Sequence, residues 1–167
     1  HSTAFALSKA PAQHRILDAL QAAYASGKKV SADWNYSPQI WGPDNDAPAL
    51  FEQLMQYAPL LKLSMDDVAR FWGPETGIDA ARQMMERYNT TAVCITCGAD
   101  GVWYRLHNGV WQHRNAKPVK VTDPTGAGDS FWSGFITSYL NNRPIDDCID
   151  TALETASLKL QGKLLAS

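Results

Sequence analysis

A short glycine-rich segment, VTDPTGAGDSF at residues 121–131, combines residue types that could bind a phosphate and move a proton. An apolar, strand-like stretch ends just before it, and a helical pattern begins at about Ala127. Gly126 and Gly128 let the backbone come close to a ligand, and the first turn of a helix offers N–H groups at its positive end. The segment is therefore predicted to be an anion-binding loop that leads into a helix.

Asp129 lies in this segment, where a carboxylate would repel a bound phosphate unless it had a chemical task. In phosphoryl transfer, an aspartate can accept the proton of the attacking hydroxyl while nearby N–H groups stabilise charge on the moving phosphoryl group. A structural alternative stays open, because an acidic residue in the first turn of a helix also complements the helix dipole. Asp129 is thus either a general base or a helix-terminal charge.

Two other types of phosphate loop fit the sequence poorly. The Walker A pattern GxxxxGK[ST] does not occur in the chain, which excludes a P-loop enzyme. A dinucleotide loop needs a third glycine where this chain has Phe131, and no strand with a ribose-binding acid follows. Hydride transfer is therefore disfavoured.

Composition limits the class of protein further. With 167 residues, of which 45% are hydrophobic, the chain can bury one core, and a single domain is the default expectation. A net charge of -2 without a basic face argues against nucleic acid, and no apolar run is long enough to cross a membrane. Three cysteines without a disulfide pattern predict a cytoplasmic protein, and a strand-like start at His1 suggests a fragment.

The elements that must hold the glycine-rich segment alternate between strands and helices, which predicts an α/β fold with a mostly parallel sheet. An Asn108–Gly109 turn predicts a hairpin at one sheet edge, and prolines and a glycine predict a loop without regular structure at 35–48. Strands are expected at 4–7, 29–33, 60–63, 92–96, 102–106, 110–113 and 119–121. Helices are expected from a cap at Ser8 to Gly27, at 49–57, 77–88 and 127–141, and after Pro144.

The segment DPTGAGDSF closely resembles the C-terminal signature of the ribokinase-like (PfkB) carbohydrate kinases. The resemblance implies a three-layer α/β/α fold and ATP-dependent phosphoryl transfer to a hydroxyl of a sugar or sugar acid, with ATP and Mg²⁺ as cofactors. It implies that Asp129 is the catalytic base and also contacts the substrate. By position, the anion hole is formed by Gly126, Ala127 and Gly128, with Thr125 on the phosphate side and Asp123 on the metal side.

Two further segments are similar to ATP-binding parts of the same family. TCGADG, at 96–101, is similar to a strand-end turn that contacts ATP phosphates, which implies contacts from Thr96, Gly98 and Gly101. An ordinary hairpin turn is the alternative. KLSMDD, at 62–67, is similar to a segment whose Asn and Glu organise magnesium and phosphate. Its cofactor-side residues would be Lys62 and Ser64 and its metal-side residue Asp67, whereas a helix cap is the equal alternative for this segment.

DWNYSP, at 33–38, together with Trp41 is similar to the DxNxRxxxW region of the branch that phosphorylates sugar acids and fructose-type sugars. The resemblance implies substrate contacts from Asp33 and Asn35. Ser37 stands where that branch has an arginine, so a fixed positive charge is missing. The resemblance covers only the later part of a family member, which implies that the lid and most sugar contacts are absent.

Two alternatives to a sugar kinase stay open. The missing arginine would also suit a nucleotide-binding, catalytically impaired member of the fold that serves as a binding or regulatory module. A kinase of a nucleoside or vitamin precursor would share the same ATP site. The sequence does not decide whether the protein forms a homo-oligomer.

Overall fold

The computed structural model describes residues 1–42 and 45–163 and contains a six-stranded, mostly parallel sheet in the order β1-β2-β3-β4-β5-β6. The strands are β1 (Ser2–Thr3), β2 (Ser31–Asp33), β3 (Leu60–Ser64), β4 (Ala92–Thr96), β5 (Val102–Leu106) and β6 (Gln112–Arg114). The helices are α1 (Ala12–Ala25), α2 (Pro38–Trp41), α3 (Ala47–Met55), α4 (Met65–Trp72), α5 (Ile78–Glu86), α6 (Ala127–Leu140) and α7 (Ile145–Leu160). The predicted α/β class is confirmed, and β5 and β6 lie at one edge of the sheet, as expected for the hairpin.

The start of the chain differs from its prediction. Residues 4–7 are buried at Ala4 and Leu7 but form turns, and the strand lies earlier, at Ser2–Thr3. Ser8 does not cap α1, because its Oγ donates to the carbonyl of Phe5 at 2.8 Å and Pro11 occupies the cap position. The first strand was therefore predicted too late in the chain, because the apolar residues Ala4 and Leu7 are buried without forming a strand.

Two later predictions were also wrong. The expected loop at 35–48 contains α2, which starts with Pro38 at its first position, where a proline costs no hydrogen bond. Pro43 and Asp44 of that loop lie outside the described residues. Residues 119–121 form no strand, and Val121 is 53% exposed. The first error arose because Pro38 was interpreted as excluding a helix, whereas it begins one.

The chain divides into two compact units. The first unit comprises His1–Ile95 and Tyr104–Gln112, and the second comprises Thr96–Trp103 and His113–Ser167. In the first unit, β1–β2 and β2–β3 pair in parallel, with Asp33 in register with Lys62. That unit's core includes Trp34, Trp41, Phe51, Leu54, Leu61, Leu63, Val68, Met85 and Val93. The expectation of a single domain stays a prediction.

The second unit is built on the packing of α6 against α7. Gly134 of α6 permits this packing, because a Cβ there would lie 2.7 Å from Thr155 Oγ1 and 3.1 Å from Ala152 Cα. Phe135, Ile149 and Ala152 are fully buried. Even α7, with 16 residues, is unsuited to crossing a bilayer, as are the other helices in the described part of the chain.

Candidate active site

The glycine-rich segment forms a tight loop into α6. Gly126 occupies the N-cap with a left-handed backbone (φ 74°, ψ 10°), a conformation that glycine adopts without strain. The amide of Ala127 donates to Pro124 O at 3.2 Å, and the amide of Ser130 donates to Gly126 O at 2.9 Å. Gly128 and Asp129 thus lie in the helix turn whose N–H groups have no intrahelical acceptor. This geometry is that of an anion-binding helix terminus.

Asp129 lies in the first turn of α6 with an exposed side chain. Among the residues that the structure describes, no hydrogen bond or ion pair holds its carboxylate. The group is therefore open to a ligand that approaches the helix terminus. In this position the carboxylate also interacts favourably with the dipole of α6, so the geometry is compatible with both interpretations of Asp129.

Asp123 shapes the loop from its other side. Its Oδ1 accepts the amide of Thr125 at 2.9 Å, and its Oδ2 lies 3.4 Å from Lys159 Nζ of α7. The pKa of Asp123 is lowered mainly by the Thr125 backbone N–H, next by the Thr125 side chain, and also by Lys159. The Asp123 side chain is therefore held as a charged acceptor next to the glycines.

The second predicted ATP segment is a tight turn at the end of β4. Gly98–Asp100 form a short 3-10 turn, and the amide of Cys97 donates to Gly101 O at 2.8 Å. Gly101 has φ 92°, and a Cβ there would lie 2.0 Å from Arg114 O. The glycine at 101 is required by the close approach of residues 114–116, whether or not a nucleotide binds.

A cleft of about 540 Å³ lies beside this turn in the second unit. The segment that approaches Gly101 forms one wall, and a face of α7 forms the other. The lining residues are Arg114, Asn115, Lys117, Asp150, Leu153, Glu154, Ser157, Leu158 and Gln161. The last turn of α7 also reaches the glycine loop, because Thr122 N donates to Leu160 O at 2.7 Å. The cleft is therefore bordered by the segment that contacts Gly101, and the helix that forms its other wall is bonded to the glycine loop at its last turn.

Sequence reasoning missed this cleft. Its α7 face recurs at helical spacing but mixes charged, polar and apolar side chains, so neither an apolar stripe nor a motif marks it. Volumes of this size are typical of small-molecule sites. The signal that could have found it is the order of segments, since α7 follows α6 after only four residues and is therefore expected to pack back against it.

In the first unit, the predicted residues Asp33 and Lys62 pair with each other. Lys62 Nζ lies 2.8 Å from Asp33 Oδ1 and 2.9 Å from Oδ2, and the two side chains are 5% and 3% exposed. The pair joins Asp33, the last residue of β2, to Lys62 in the middle of β3, and Trp34 N also donates to Lys62 O at 2.8 Å. Both charges are already satisfied within the protein, which makes either one a poor direct ligand group.

Asn35 follows this pair and is half-buried. Its Oδ1 accepts the amide of Phe5 at 3.3 Å, which ties it to the turn after β1. Ser37, in place of the arginine, is the N-cap of α2 but makes no side-chain cap bond. Trp41 is buried against Trp34 at 5.7 Å between ring centroids, so the tryptophan of this region is a core residue.

Ser64 and Asp67 form a capping box at the start of α4. Asp67 Oδ2 accepts from Ser64 N at 2.8 Å and from Ser64 Oγ at 2.6 Å, while Asp67 N donates to Ser64 Oγ at 3.1 Å. Asp67 Oδ1 lies 3.4 Å from Arg70 Nη1. Both carboxylate oxygens are thus engaged, which is the geometry of the helix-cap alternative.

The predicted residues fall into two groups. The second unit contains the glycine loop from Asp123 to Asp129 and the turn from Thr96 to Gly101, and the first unit contains Asp33, Asn35, Lys62, Ser64 and Asp67. Within the described ranges, no three His, Cys, Asp or Glu side chains form a group that could hold a metal ion. The carboxylates named for a metal, Asp123 and Asp67, face ammonium, guanidinium or amide donors instead. The donor set therefore does not fit a resident Mg²⁺ held by protein ligands alone.

The sheet order, the glycine loop and the α6–α7 pair define a ribokinase-like α/β fold. The structure matches aminoimidazole riboside kinase from Salmonella enterica, solved with aminoimidazole riboside and an ATP analog, with a TM-score of 0.86 at 24% identity. That match covers 98% of this chain and 57% of the other. Fructokinase from Vibrio cholerae O395, solved with fructose, ADP and calcium ion, matches with a TM-score of 0.81 at 24% identity, covering 98% and 55%. These likenesses confirm the fold.

The chain belongs to the pfkB family of carbohydrate kinases, whose profile matches residues 2–167. It is 30% identical over 164 residues to a fructokinase of Klebsiella pneumoniae, covering 98% of this chain and 53% of that protein. It is 25% identical over 150 residues to a 2-dehydro-3-deoxygluconokinase of Haemophilus influenzae, covering 89% and 48%. The chain thus spans about half the length of the curated relatives it matches. Family membership confirms the resemblance inferred from DPTGAGDSF.

Proposed function

We propose that this chain forms the nucleotide-binding and catalytic part of an ATP-dependent kinase that phosphorylates a hydroxyl of a sugar or sugar acid. The observation that carries the proposal is the exposed carboxylate of Asp129 in the first turn of α6, directly after the left-handed Gly126. An open carboxylate beside an anion-binding helix terminus supplies both a proton acceptor and donors for phosphate oxygens.

In the proposed reaction, the acceptor hydroxyl gives its proton to the carboxylate of Asp129. The hydroxyl oxygen forms a bond to the γ-phosphorus of ATP as the bond from that phosphorus to the β-phosphate oxygen breaks, and ADP leaves. The backbone amides of the first α6 turn, including those of Gly128 and Asp129, stabilise the charge on the γ-phosphoryl oxygens. Mg²⁺ enters this proposal only as the counter-ion of the ATP phosphates, and no step depends on a protein-held metal.

The proposed site for the nucleoside of ATP is the cleft along α7. Leu153 and Leu158 offer apolar contact area, and Asn115, Ser157 and Gln161 offer polar groups for a base or ribose. Thr96, Gly98 and Gly101 would form the phosphate-side turn, and Thr125 would flank the phosphates. The size of the cleft supports this proposal, because volumes of roughly 300 to 1,000 Å³ hold small-molecule ligands.

The proposed acceptor class rests on the relatives, whose names specify fructose and 2-dehydro-3-deoxygluconate as substrates. Asn35 is the candidate acceptor contact of this chain. Asp33 has an indirect part in the proposal, because its carboxylate is buried against Lys62. The proposed setting is the cytoplasm, where the buried free thiols of Cys94 and Cys148 would stay reduced.

An ATP-dependent phosphorylation assay on a panel of sugars, sugar acids and nucleosides tests the proposal. The assay uses the full-length protein that contains this chain, beside its Asp129→Asn variant. We expect turnover on a sugar or sugar acid, with kcat lower by about a thousandfold in the variant and ATP affinity within about twofold. Asp66→Asn is the matched control, since Asp66 is an exposed aspartate in the first turn of α4 and should leave kcat unchanged.

Three outcomes would contradict the proposal in different ways. ATP binding without turnover on any acceptor would favour the binding-module alternative, which the serine at position 37 supports. Turnover on nucleosides alone would favour the second alternative, and a cytidine kinase of Thermococcus kodakarensis is 29% identical over 133 residues. Absence of ATP binding would exclude all three kinase-fold functions.

A further inference from the structure

The glycine loop carries an electrostatic problem for a phosphate ligand. Asp123 and Asp129 place two carboxylates at the two ends of a seven-residue segment whose amides would receive a polyanion. Asp129 has a task in the proposed reaction as the proton acceptor. Asp123 has no such task, and its charge would repel the ATP phosphates unless another group offsets it.

Lys159 of α7 is placed to offset that charge. Its Nζ lies 3.4 Å from Asp123 Oδ2, and its Cε is the atom closest to a Cβ built on Gly126, at 3.5 Å. The Lys159 side chain therefore lies along the loop rather than in open solvent, and it is 26% exposed. No sequence motif marks this lysine, because 36 residues separate it from Asp123.

The backbone fixes where this ammonium lies. Thr122 N donates to Leu160 O at 2.7 Å, so the residue before Asp123 is bonded to the residue after Lys159. The other oxygen of Asp123, Oδ1, accepts the Thr125 amide at 2.9 Å, which holds the turn that leads to Gly126. One carboxylate thus shapes the loop with one oxygen and meets Lys159 with the other.

A purely structural link would be redundant here. The Thr122–Leu160 bond already joins the loop to α7, and close contacts at Gly134 and Thr155 hold α6 against α7. An ion pair with a half-exposed carboxylate adds little to folding stability. Its electrostatic effect on an anion that binds within a few ångströms is larger, because a loss of charge balance acts on every phosphate oxygen.

From this geometry we infer that Lys159 is a positioning residue of the ATP site. It neutralises Asp123 and holds that carboxylate in its turn, so that the loop amides receive the phosphates without net repulsion. The inference rests on the proposed function, because it needs ATP to bind at the glycine loop.

A double-mutant cycle in the full-length protein tests the inference, with the Kd for ATP and both kcat and KM as readouts. We expect Lys159→Met to raise the Kd for ATP about tenfold, with a smaller change in kcat, and Lys159→Arg to restore the Kd to within about twofold. In the Asp123→Asn background, Lys159→Met should change the Kd by less than about twofold, because the charge that it offsets is gone. Lys120→Met removes one positive charge from an exposed position just before the loop and should leave the Kd unchanged.

Two results would overturn the inference while leaving the proposed function intact. The first is an unchanged Kd in Lys159→Met when the unmutated protein binds ATP. The second is an equal rise in Kd in both backgrounds, which would mean that Lys159 acts independently of Asp123. Failure of the unmutated protein to bind ATP is a separate result, which overturns the proposed function and this inference with it.

Discussion

The glycine loop of the second unit and the paired strands β2 and β3 of the first unit both carry charged residues that the family resemblance assigns to a site. The two regions hold those charges differently. On β2 and β3, Asp33 and Lys62 are almost fully buried and bonded to each other. At the loop, Asp129 is exposed, and Asp123 meets Lys159 at 3.4 Å with half of its side chain in solvent. A charge that already has a buried partner serves the fold, whereas one left open to solvent can meet a ligand.

The residues that the family resemblance assigns to the site therefore include some that the fold requires and others that only a ligand would require. Burying an ion costs several kcal/mol unless it is paired, so the Asp33–Lys62 pair must form when β2 and β3 pair with each other. The loop carries no such obligation, because solvent satisfies Asp129. Variants at the buried pair should therefore change stability first, and variants at the loop should change ligand affinity or rate first.

The largest effect on stability is expected from Lys62→Met. The change removes the ammonium from beside the buried Asp33 carboxylate, and we expect the free energy of unfolding to fall by about 3 to 5 kcal/mol. Urea unfolding followed by tryptophan fluorescence measures it. Arg143→Met is the matched control, because its pair with Asp147 is exposed and should contribute less than about 0.5 kcal/mol.

A second variant makes the Lys62 test independent of general damage. Adding Asp33→Leu to Lys62→Met removes the buried charge itself, and we expect part of the lost stability to return. Equal losses in Lys62→Met and Arg143→Met would contradict the distinction between the two regions.

A smaller effect is expected from alanine at two of the glycines that the family resemblance assigns to the ATP site, Gly101 and Gly126. In Gly101→Ala the new Cβ would lie 2.0 Å from Arg114 O, so the backbone must move, and we expect a loss of about 3 kcal/mol. In Gly126→Ala only the flexible Lys159 side chain is close, so the loss should be about 1 to 2 kcal/mol, from the left-handed backbone alone. Thermal unfolding of both variants measures the difference. A larger loss at Gly126 than at Gly101 would contradict the structural role of Gly101.

Much of the fold could be predicted because local signals and burial agree. The apolar runs at β4 and β5 gave the observed bounds, and Gly126 and Ala127 fixed the start of α6. Where the signals separate, prediction failed. Ala4 and Leu7 are buried in turns, and Val121 is apolar but half exposed. Long-range contacts decide such segments, and a single sequence does not contain them.

The candidate site divides in the same way. Asp129 and the glycines were found because one short motif contains them. Lys159 and the α7 cleft were not, because each acquires its position only when α7 packs back against the loop. The helix α4 was also missed, although Ser64 and Asp67 form the capping box that begins it. In that case the local signal was present, and a helix cap was named as the equal alternative to the metal role, but no helix was assigned after it.

The smallest of these effects separates the cap and metal hypotheses for Ser64. If Ser64 acts as a helix cap, Ser64→Ala should lower the free energy of unfolding by about 1 kcal/mol, because the Asp67 amide loses its acceptor. The Mg²⁺ concentration that gives half-maximal activity should then stay within about twofold of its original value. Ser37→Ala is the matched control, since Ser37 is an N-cap without a side-chain cap bond and should leave stability unchanged. A severalfold rise in the Mg²⁺ requirement of Ser64→Ala, with stability unchanged, would instead place the metal side of the site at α4, because only a hydroxyl that ligates the ion or its water would change it.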